Sequence, residues 1–430
     1  MKSLNSFCRF LVALLATTVP AAACTTAVIS GRVTSDGRPL LWKNRDYSSA
    51  PHNEVVHLAG GRYRAIGVVT AGSYKSVWMG VNESGFCIEN SLSLDLKSKT
   101  PSRGPGNGAL IRQALESCAT VDDFRQLLQK TDASGRVTCG NFGVIDAQGG
   151  AALFEVGRTS HRMLDANDPE IAPHGYIVRS NFSMTGQELP IHPTSEELSS
   201  ISSAGRYLRA CSLLESPTGE RISAEFLVRH CTRDLADPQG RAIPGTVNGD
   251  SGLVPGKIST AETISRATTV SAAVFHGVRP GEDPRLTTMY SILGDPKFSI
   301  AVPCWAVMQS IPEVLQNPRG GALGEIALTL RDWSFSGGDE KNVQASLLPG
   351  LWKTLWPVED QILEQTRAQR ESQTTAVANP EPLETLSHRA AETAMAAMKK
   401  ALRQTKQKVL SVQAPRPPVF EEKRAAVLVP

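Results

Sequence analysis

The chain has 430 residues, 41% of them hydrophobic and 20% charged, with 45 Lys and Arg against 42 Asp and Glu. That is the composition of an ordinary folded protein, long enough for one large core or two smaller ones. A net charge of +3 is too small for a surface built to hold nucleic acid, and it falls to +1 once Lys2 and Arg9 of the leader are subtracted.

The chain opens with Lys2 and Arg9 around a short polar start, an apolar run over residues 10–15, and the small residues Ala21, Ala22 and Ala23. This pattern predicts a signal peptide over residues 1–23, cut between Ala23 and Cys24, and an exported protein, periplasmic or extracellular. The apolar run is too short to span a bilayer, and no later segment is long and apolar enough to do so.

After Cys24 the apolar pattern alternates. Residues 25–30 read as a strand, Asp36 and Gly37 as its turn, and 40–44 as the returning strand. Further strands are expected at 63–70, 77–81 and 86–90. The period then changes to helical at 109–117 and 121–130, the second helix starting from Thr120 as N-cap with Asp122 and Asp123 in its first turn. "NFGVIDAQGGAALFEV" reads as a hairpin turning at 147–150, and "GYIVRSNF" contains another strand. Residues 185–204 read as loop, 205–214 as helix, and the turn-rich 232–260 as a surface excursion. Strands resume at 268–275, 287–293 and 299–302. Runs of strands around blocks of helix, without βαβ alternation, predict an α+β layered fold.

The tail reads differently. A charged helix over 358–373, a linker over 374–382 and an Ala-rich helix over 383–412 form a helical C-terminal extension, followed by a loose end at 413–430. The main domain is then 24–357.

Cys8 leaves with the leader. Apart from Cys24, the cysteines Cys87, Cys118, Cys139, Cys211, Cys231 and Cys304 could form three bridges or stay as buried free thiols. No CxxC clip is present, and the eight histidines form no HxxxH or HxH cluster, so no metal and no cofactor are expected. "NGDSGL" imitates a serine-protease motif, but the nearest "RHC" lies too close in sequence to assemble a triad. "GPGNG" lacks the Lys-Ser/Thr of a phosphate loop.

The chemistry gathers at Cys24. If cleavage follows Ala23, Cys24 carries an α-amine of pKa about 8 beside a thiol of about 8.5. The amine can take the thiol proton, so one residue supplies both nucleophile and base. The thiolate would attack an amide carbonyl, release an amine and leave a thioester. A different fate is lipidation, which would make the chain a non-catalytic exported lipoprotein anchored at Cys24 and binding a small ligand. The "WKNRD" run places Lys43, Asn44, Arg45 and Asp46 on the strand that folds back beside Cys24. A carboxylate there could hold the ammonium, and a cation could lower the thiol pKa.

"CTTAVISGRVTSDGRPLLWKNRD" resembles the start of mature N-terminal-nucleophile cysteine amidases: penicillin V acylases and choloylglycine hydrolases, acyl-coenzyme A:6-aminopenicillanic acid acyltransferases, and cysteine dipeptidases of that superfamily. "GVNESGFCIEN", "GVIDAQGGAALFE", "GYIVRSNFSMTG" and "TTVSAAVFHG" are similar to further segments of these families, the last two to the acyltransferase branch. The resemblance implies a four-layer αββα sandwich and an enzyme acting on non-cyclic amide bonds of a small-molecule amide or short peptide. By position it implies Cys24 as nucleophile and base, Asp46 as the group orienting the amine, Asn181 as oxyanion donor with Asn90 as a second, and Arg266 as the distal active-site arginine. Lys43 and Arg45 would support the substrate or the transition state. Lys43 stands where bile-salt-type members have Arg, which favours the acyltransferase-like branch.

Overall fold

The computed structural model describes residues 23–96, 103–215, 222–246, 253–335, 341–373 and 379–413. Residues 1–22, most of the expected leader, and residues 414–430 lie outside them. The first two strands, β1 (Ala23–Ile29) and β2 (Leu40–Asp46), form the expected hairpin. It turns through Gly37, whose φ of 75° is a left-handed conformation that favours glycine. The Cα partners run Cys24 to Arg45 and Ile29 to Leu40, and this register decides which side chains share a face.

Next come β3 (Asn53–Leu58), β4 (Ala65–Thr70), β5 (Met79–Asn82), β6 (Cys87–Leu92), β7 (Gly140–Ile145), β8 (Ala151–Val156) and β9 (His161–Asp165). They pair in chain order as a seven-stranded antiparallel sheet. Helices α1 (Asn107–Ser117) and α2 (Val121–Ser134) are inserted between β6 and β7. Thr120 caps α2 in a reciprocal capping box with Asp123. Then follow β10 (Tyr176–Arg179), the single-turn α3 (Ser195–Leu198), α4 (Ala204–Leu214), the short α5 (Ala224–Phe226), β11 (Pro244–Thr246), β12 (Leu253–Ser259), β13 (Thr269–His276), β14 (Thr288–Leu293), β15 (Val302–Cys304), α6 (Ala322–Ser334), β16 (Asn342–Gln344), α7 (Leu348–Glu371) and α8 (Pro380–Gln413). The first hairpin lies inside a six-stranded antiparallel sheet of order β10-β1-β2-β13-β14-β15.

Alternation along β1 and β2 sorts their side chains between two cores. Val28 and Leu41 join the interior shared with the second sheet, together with Ile66, Met79 and Leu153. Ala27, Ile29, Leu40 and Trp42 pack on the opposite side with Ala210 and Leu214 of α4 and with Leu227 and Val228. The far face of the seven-stranded sheet buries Ile88, Phe142 and Phe154 against Leu110, Phe124 and Leu128 of α1 and α2. The result is the expected α+β sandwich, helices on sheet on sheet on helices.

Several elements differ from the sequence expectation. β3 and β9 were not among the expected strands; β9 is an edge strand with Arg162 and Met163 turned outward, so it lacks an apolar signature. The polar run 185–204 contains α3, closed by a Thr194–Glu197 capping box. The 232–260 excursion holds β11 and β12, which pair with β16 in a small third sheet. The helical region begins at Leu348, ten residues before the expected boundary, because α7 continues through Pro357. An interior proline removes one helical donor and strains the preceding turn, and tertiary contacts offset that cost here. The two C-terminal helices are not an appendage: Leu355 and Ile362 of α7 and Leu383 and Met398 of α8 belong to the same buried cluster as the inner sheet faces. Glu359 of α7, fully buried, pairs with Arg233 at 2.6 Å and Arg229 at 3.1 Å. All seven cysteines of the described residues are free thiols. No helix among the described residues is long and apolar enough to cross a membrane.

Candidate active site

Cys24 is the second residue of β1, 6% exposed, and its side chain shares the inner face with that of its partner Arg45 and with Lys43 one step along β2. These three border a cleft of about 400 Å³, together with Asp46, Tyr47, Trp78, Asn90, Leu92 and the residues 106–109 that open α1. The strand pleat that sends Arg45 and Lys43 inward sends Asn44 and Asp46 the other way.

Asp46 is 1% exposed and lies opposite Ala23 in the β1–β2 register. Its Oδ1 accepts from Thr269 Oγ1 at 2.6 Å. Oδ2 is buried without a hydrogen-bond partner, 3.7 Å from Arg266 Nη1. Burial pushes the Asp46 carboxyl up, and the Arg266 and Arg206 charges with the Thr269 hydroxyl work against that rise. The structure therefore brings Arg266 to Asp46 rather than into the cleft.

Asn181 sits two residues beyond β10, beside the start of β1. Its Oδ1 accepts from the Cys24 backbone nitrogen at 2.8 Å and from Arg206 Nη2 at 2.8 Å. Its Nδ2 donates to the Leu92 carbonyl at 2.8 Å. The end of the amide that meets Cys24 is the acceptor, which holds a nitrogen, whereas an oxyanion requires a donor. Sequence order gives no means of telling the two ends of an amide apart.

Lys43 is 1% exposed and donates from Nζ to Asn90 Oδ1 at 2.9 Å and to the Trp78 carbonyl at 2.8 Å. With its oxygen bound to Lys43, Asn90 has Nδ2 as its donor end. Arg45 lies against two rings, its guanidinium carbon 4.7 Å from the Trp78 centroid and 5.1 Å from that of Tyr47. Burial lowers both cations, Arg45 to about 10.

Burial also raises the Cys24 thiol. The charge of Lys43 is the largest influence opposing that rise, followed by the Asp46 backbone N–H and Arg45, while the Asp46 carboxylate adds to it. Burial and the Asp46 carboxylate thus favour the neutral thiol, and Lys43, the Asp46 N–H and Arg45 favour its anion.

Two participants were missed. Arg206 of α4 donates to the Cys24 carbonyl, to Thr25 Oγ1 at 3.0 Å and to Asn181 Oδ1, clamping the backbone of Cys24. Nothing in the helical pattern marked it. Glu89 of β6 is fully buried next to Lys43; it accepts from the Thr26 hydroxyl and from the Gly143 N–H at 3.1 Å. Burial raises its carboxyl to about 7 against the pull of Lys43. A signal did exist, because Glu89 alternates with Cys87 on the inward side of a buried strand. Among the described residues no cluster of His, Cys, Asp and Glu could hold a metal ion.

The described residues form a double antiparallel sheet between helix layers, with a buried cysteine at the start of an inner strand and polar groups around its nitrogen. The family model described as acyl-coenzyme A:6-aminopenicillanic acid acyl-transferase matches residues 33–221, which bears out the resemblance drawn from the motifs; the match excludes Cys24 itself. Among solved structures, the chain is similar to a penicillin V acylase from Agrobacterium tumefaciens at 14% identity and a TM-score of 0.38, covering 66% of this chain and 85% of that one. It is also similar to a conjugated bile acid hydrolase from Clostridium perfringens at 11% identity and a TM-score of 0.35, covering 69% and 94%. No curated protein matches by sequence. Family match and fold together support an acylase or amidohydrolase of the N-terminal-nucleophile kind.

Proposed function

We propose that the chain is an exported cysteine amidase or N-acyltransferase that cleaves linear C–N amides through a thioester on Cys24. Export would remove residues 1–23 and convert the Cys24 backbone nitrogen into an α-amine. The observation that carries this reading is the hydrogen bond from that nitrogen to Asn181 Oδ1, with Arg206 fixing the same amide oxygen. A nitrogen held by an acceptor keeps its lone pair turned toward the proton it must take. Loss of Ala23 would also expose the unpartnered Asp46 Oδ2 to the new ammonium.

The steps then balance. The amine takes the thiol proton, and the thiolate adds to the amide carbonyl carbon. The oxygen that gains charge faces the donor end of Asn90, with Lys43 behind it. The ammonium returns the proton to the leaving nitrogen as the C–N bond breaks, and water or a second amine resolves the thioester. The substrate class is a small-molecule amide or short peptide, in keeping with a cleft of about 400 Å³. Burial of Cys24 also weighs against an anchor, since a lipid on its sulfur would have to fill that cleft.

The test is the intact mass of protein purified from cells that process its leader, followed by turnover of N-acyl amides by wild type and Cys24→Ser. A chain starting at unmodified Cys24 and a collapse of turnover in the variant are expected. A mass increased by a diacylglyceryl and an acyl group would end the enzyme reading in favour of the lipoprotein.

A further inference from the structure

We propose that Arg206 is a positioning residue for the base: it fixes Asn181 against the Cys24 nitrogen and keeps the α-amine formed there in its neutral, proton-accepting form. The inference rests on the amidase reading above. Arg206 is the third residue of α4 and is 3% exposed. Its guanidinium donates to the Cys24 carbonyl, to Thr25 Oγ1 at 3.0 Å and to Asn181 Oδ1 at 2.8 Å. Other buried arginines answer their charge with carboxylates, Arg38 with Glu282 at 2.7 Å, Arg179 with Glu155 at 3.0 Å and Arg233 with Glu359 at 2.6 Å. Among the described residues Arg206 makes no such pair, so its charge stays open to the groups it touches.

The amide of Asn181 has one orientation in this setting. A guanidinium only donates and a carbonyl only accepts. Arg206 on one side and the Leu92 carbonyl on the other therefore require Oδ1 toward Arg206 and Nδ2 toward Leu92. Oδ1 is thereby turned to the Cys24 nitrogen, also at 2.8 Å. Because Cys24 N and Arg206 Nη2 meet at the same oxygen, they are separated by no more than twice that distance. A charge so near shifts an ionisation strongly.

The direction of the shift follows from the neighbours. Asp46, opposite Ala23 in the ladder, favours an ammonium at the new terminus, and an ammonium cannot take the thiol proton. Arg206 from α4 works against it, as does Arg266, whose Nη1 lies 3.7 Å from Asp46 Oδ2. The remaining charges around this point are Lys43 and Arg45 on β2, Glu89 on β6 beside Lys43, Lys297 paired with Asp295 at 2.8 Å, and the exposed Glu262. Of the cations in the described site, Arg206 is the one whose donor shares an acceptor with the Cys24 nitrogen. It offsets Asp46 at the atom where the proton is taken.

The test follows kcat/KM of the processed enzyme for one N-acyl amide across a pH series. Loss of the cation raises the amine pKa, so the acid limb of Arg206→Met should move up by about one pH unit or more, and Arg206→Lys should recover most of that displacement. Arg206→Met/Asp46→Asn removes both charges and should bring the limb back toward the wild-type position. A measurement free of the Arg206 variants is competitive acetylation of the α-amine in Cys24→Ser, read on the N-terminal peptide by mass spectrometry. That amine should titrate below the reference of about 8 despite its neighbour Asp46. An amine titrating above that reference, or an Arg206→Met enzyme that is slower with an unmoved acid limb, overturns the proposal and leaves the amidase reading standing. Turnover by Cys24→Ser equal to wild type ends the amidase reading and this inference with it.

Discussion

Replacing Lys43 with methionine removes the cation that does most to favour the Cys24 thiolate. Lys43 pairs with Thr26, so it lies diagonally across the ladder from Cys24, a spacing of about 7 Å. At an effective dielectric of about 20, two unit charges at that distance attract by about 2 kcal/mol. Loss of that attraction lowers the thiolate population near neutral pH by roughly 30-fold. The readout needs no substrate: Cys24 is alkylated with iodoacetamide across a pH series, and modification is followed on its peptide by mass spectrometry. Alkylation by Lys43→Met should be slower by about that factor near neutrality, with its pH profile displaced upward. Because the substitution strands Glu89, a Lys43→Met/Glu89→Gln double variant keeps the pocket neutral and should show the same displacement. An unmoved profile in both variants would refute the electrostatic account of the thiol.

Asn181 separates its two roles by substitution. Asn181→Asp keeps the oxygen that holds the Cys24 nitrogen and should lose less than tenfold in kcat/KM, with the amine titrating at higher pH beside the new charge. Asn181→Ala should lose about 10²–10³-fold, and equal large losses in both would show that the donor end carries the role after all. Glu282, gripped by Arg38 at 2.7 Å, has its carboxyl lowered to about 2 from 4.5. Its folded pKa is depressed, so its contribution is present above pH 4.5 and is lost as pH falls through about 2. Denaturant melts of Glu282→Gln should therefore show a deficit at neutral pH that closes in acid, and a deficit independent of pH would contradict the ion pair. Glu359→Leu leaves buried Arg233 without its carboxylate and should cost about 3–5 kcal/mol in chemical unfolding; a near-neutral effect would mean the C-terminal helices are not anchored through that pair.

Sequence made the hairpin of β1 and β2 plain, because alternation and the Asp36-Gly37 turn are local signals. That hairpin already places Cys24 next to Arg45 and Asp46. α1, α2 and α4 were legible for the same reason. β9 was not, since an edge strand with outward polar residues has no apolar period. The boundary at α7 failed because Pro357 is a local stop signal overridden by packing. Site residues from distant segments were found only as far as motifs reached: Asn181 and Asn90 are at Cys24, but the orientation of an amide and the clamp by Arg206 depend on 157- and 182-residue separations. Arg266 came to Asp46 instead of the cleft because the β13 register, not its own surroundings, fixes its reach.

Ala23 is buried within β1 and paired to Asp46, so the Ala23–Cys24 bond that the proposed export would cut lies in a hydrogen-bonded strand of a six-stranded sheet. A peptidase needs an extended, accessible chain around the bond it hydrolyses. Once β1 is paired to β2, that bond is out of reach. On the proposed reading, processing and folding are therefore ordered in time: the leader is removed while the first hairpin is still open. A precursor that folded first would keep a peptide bond where the base belongs, and no later encounter with the peptidase would release it.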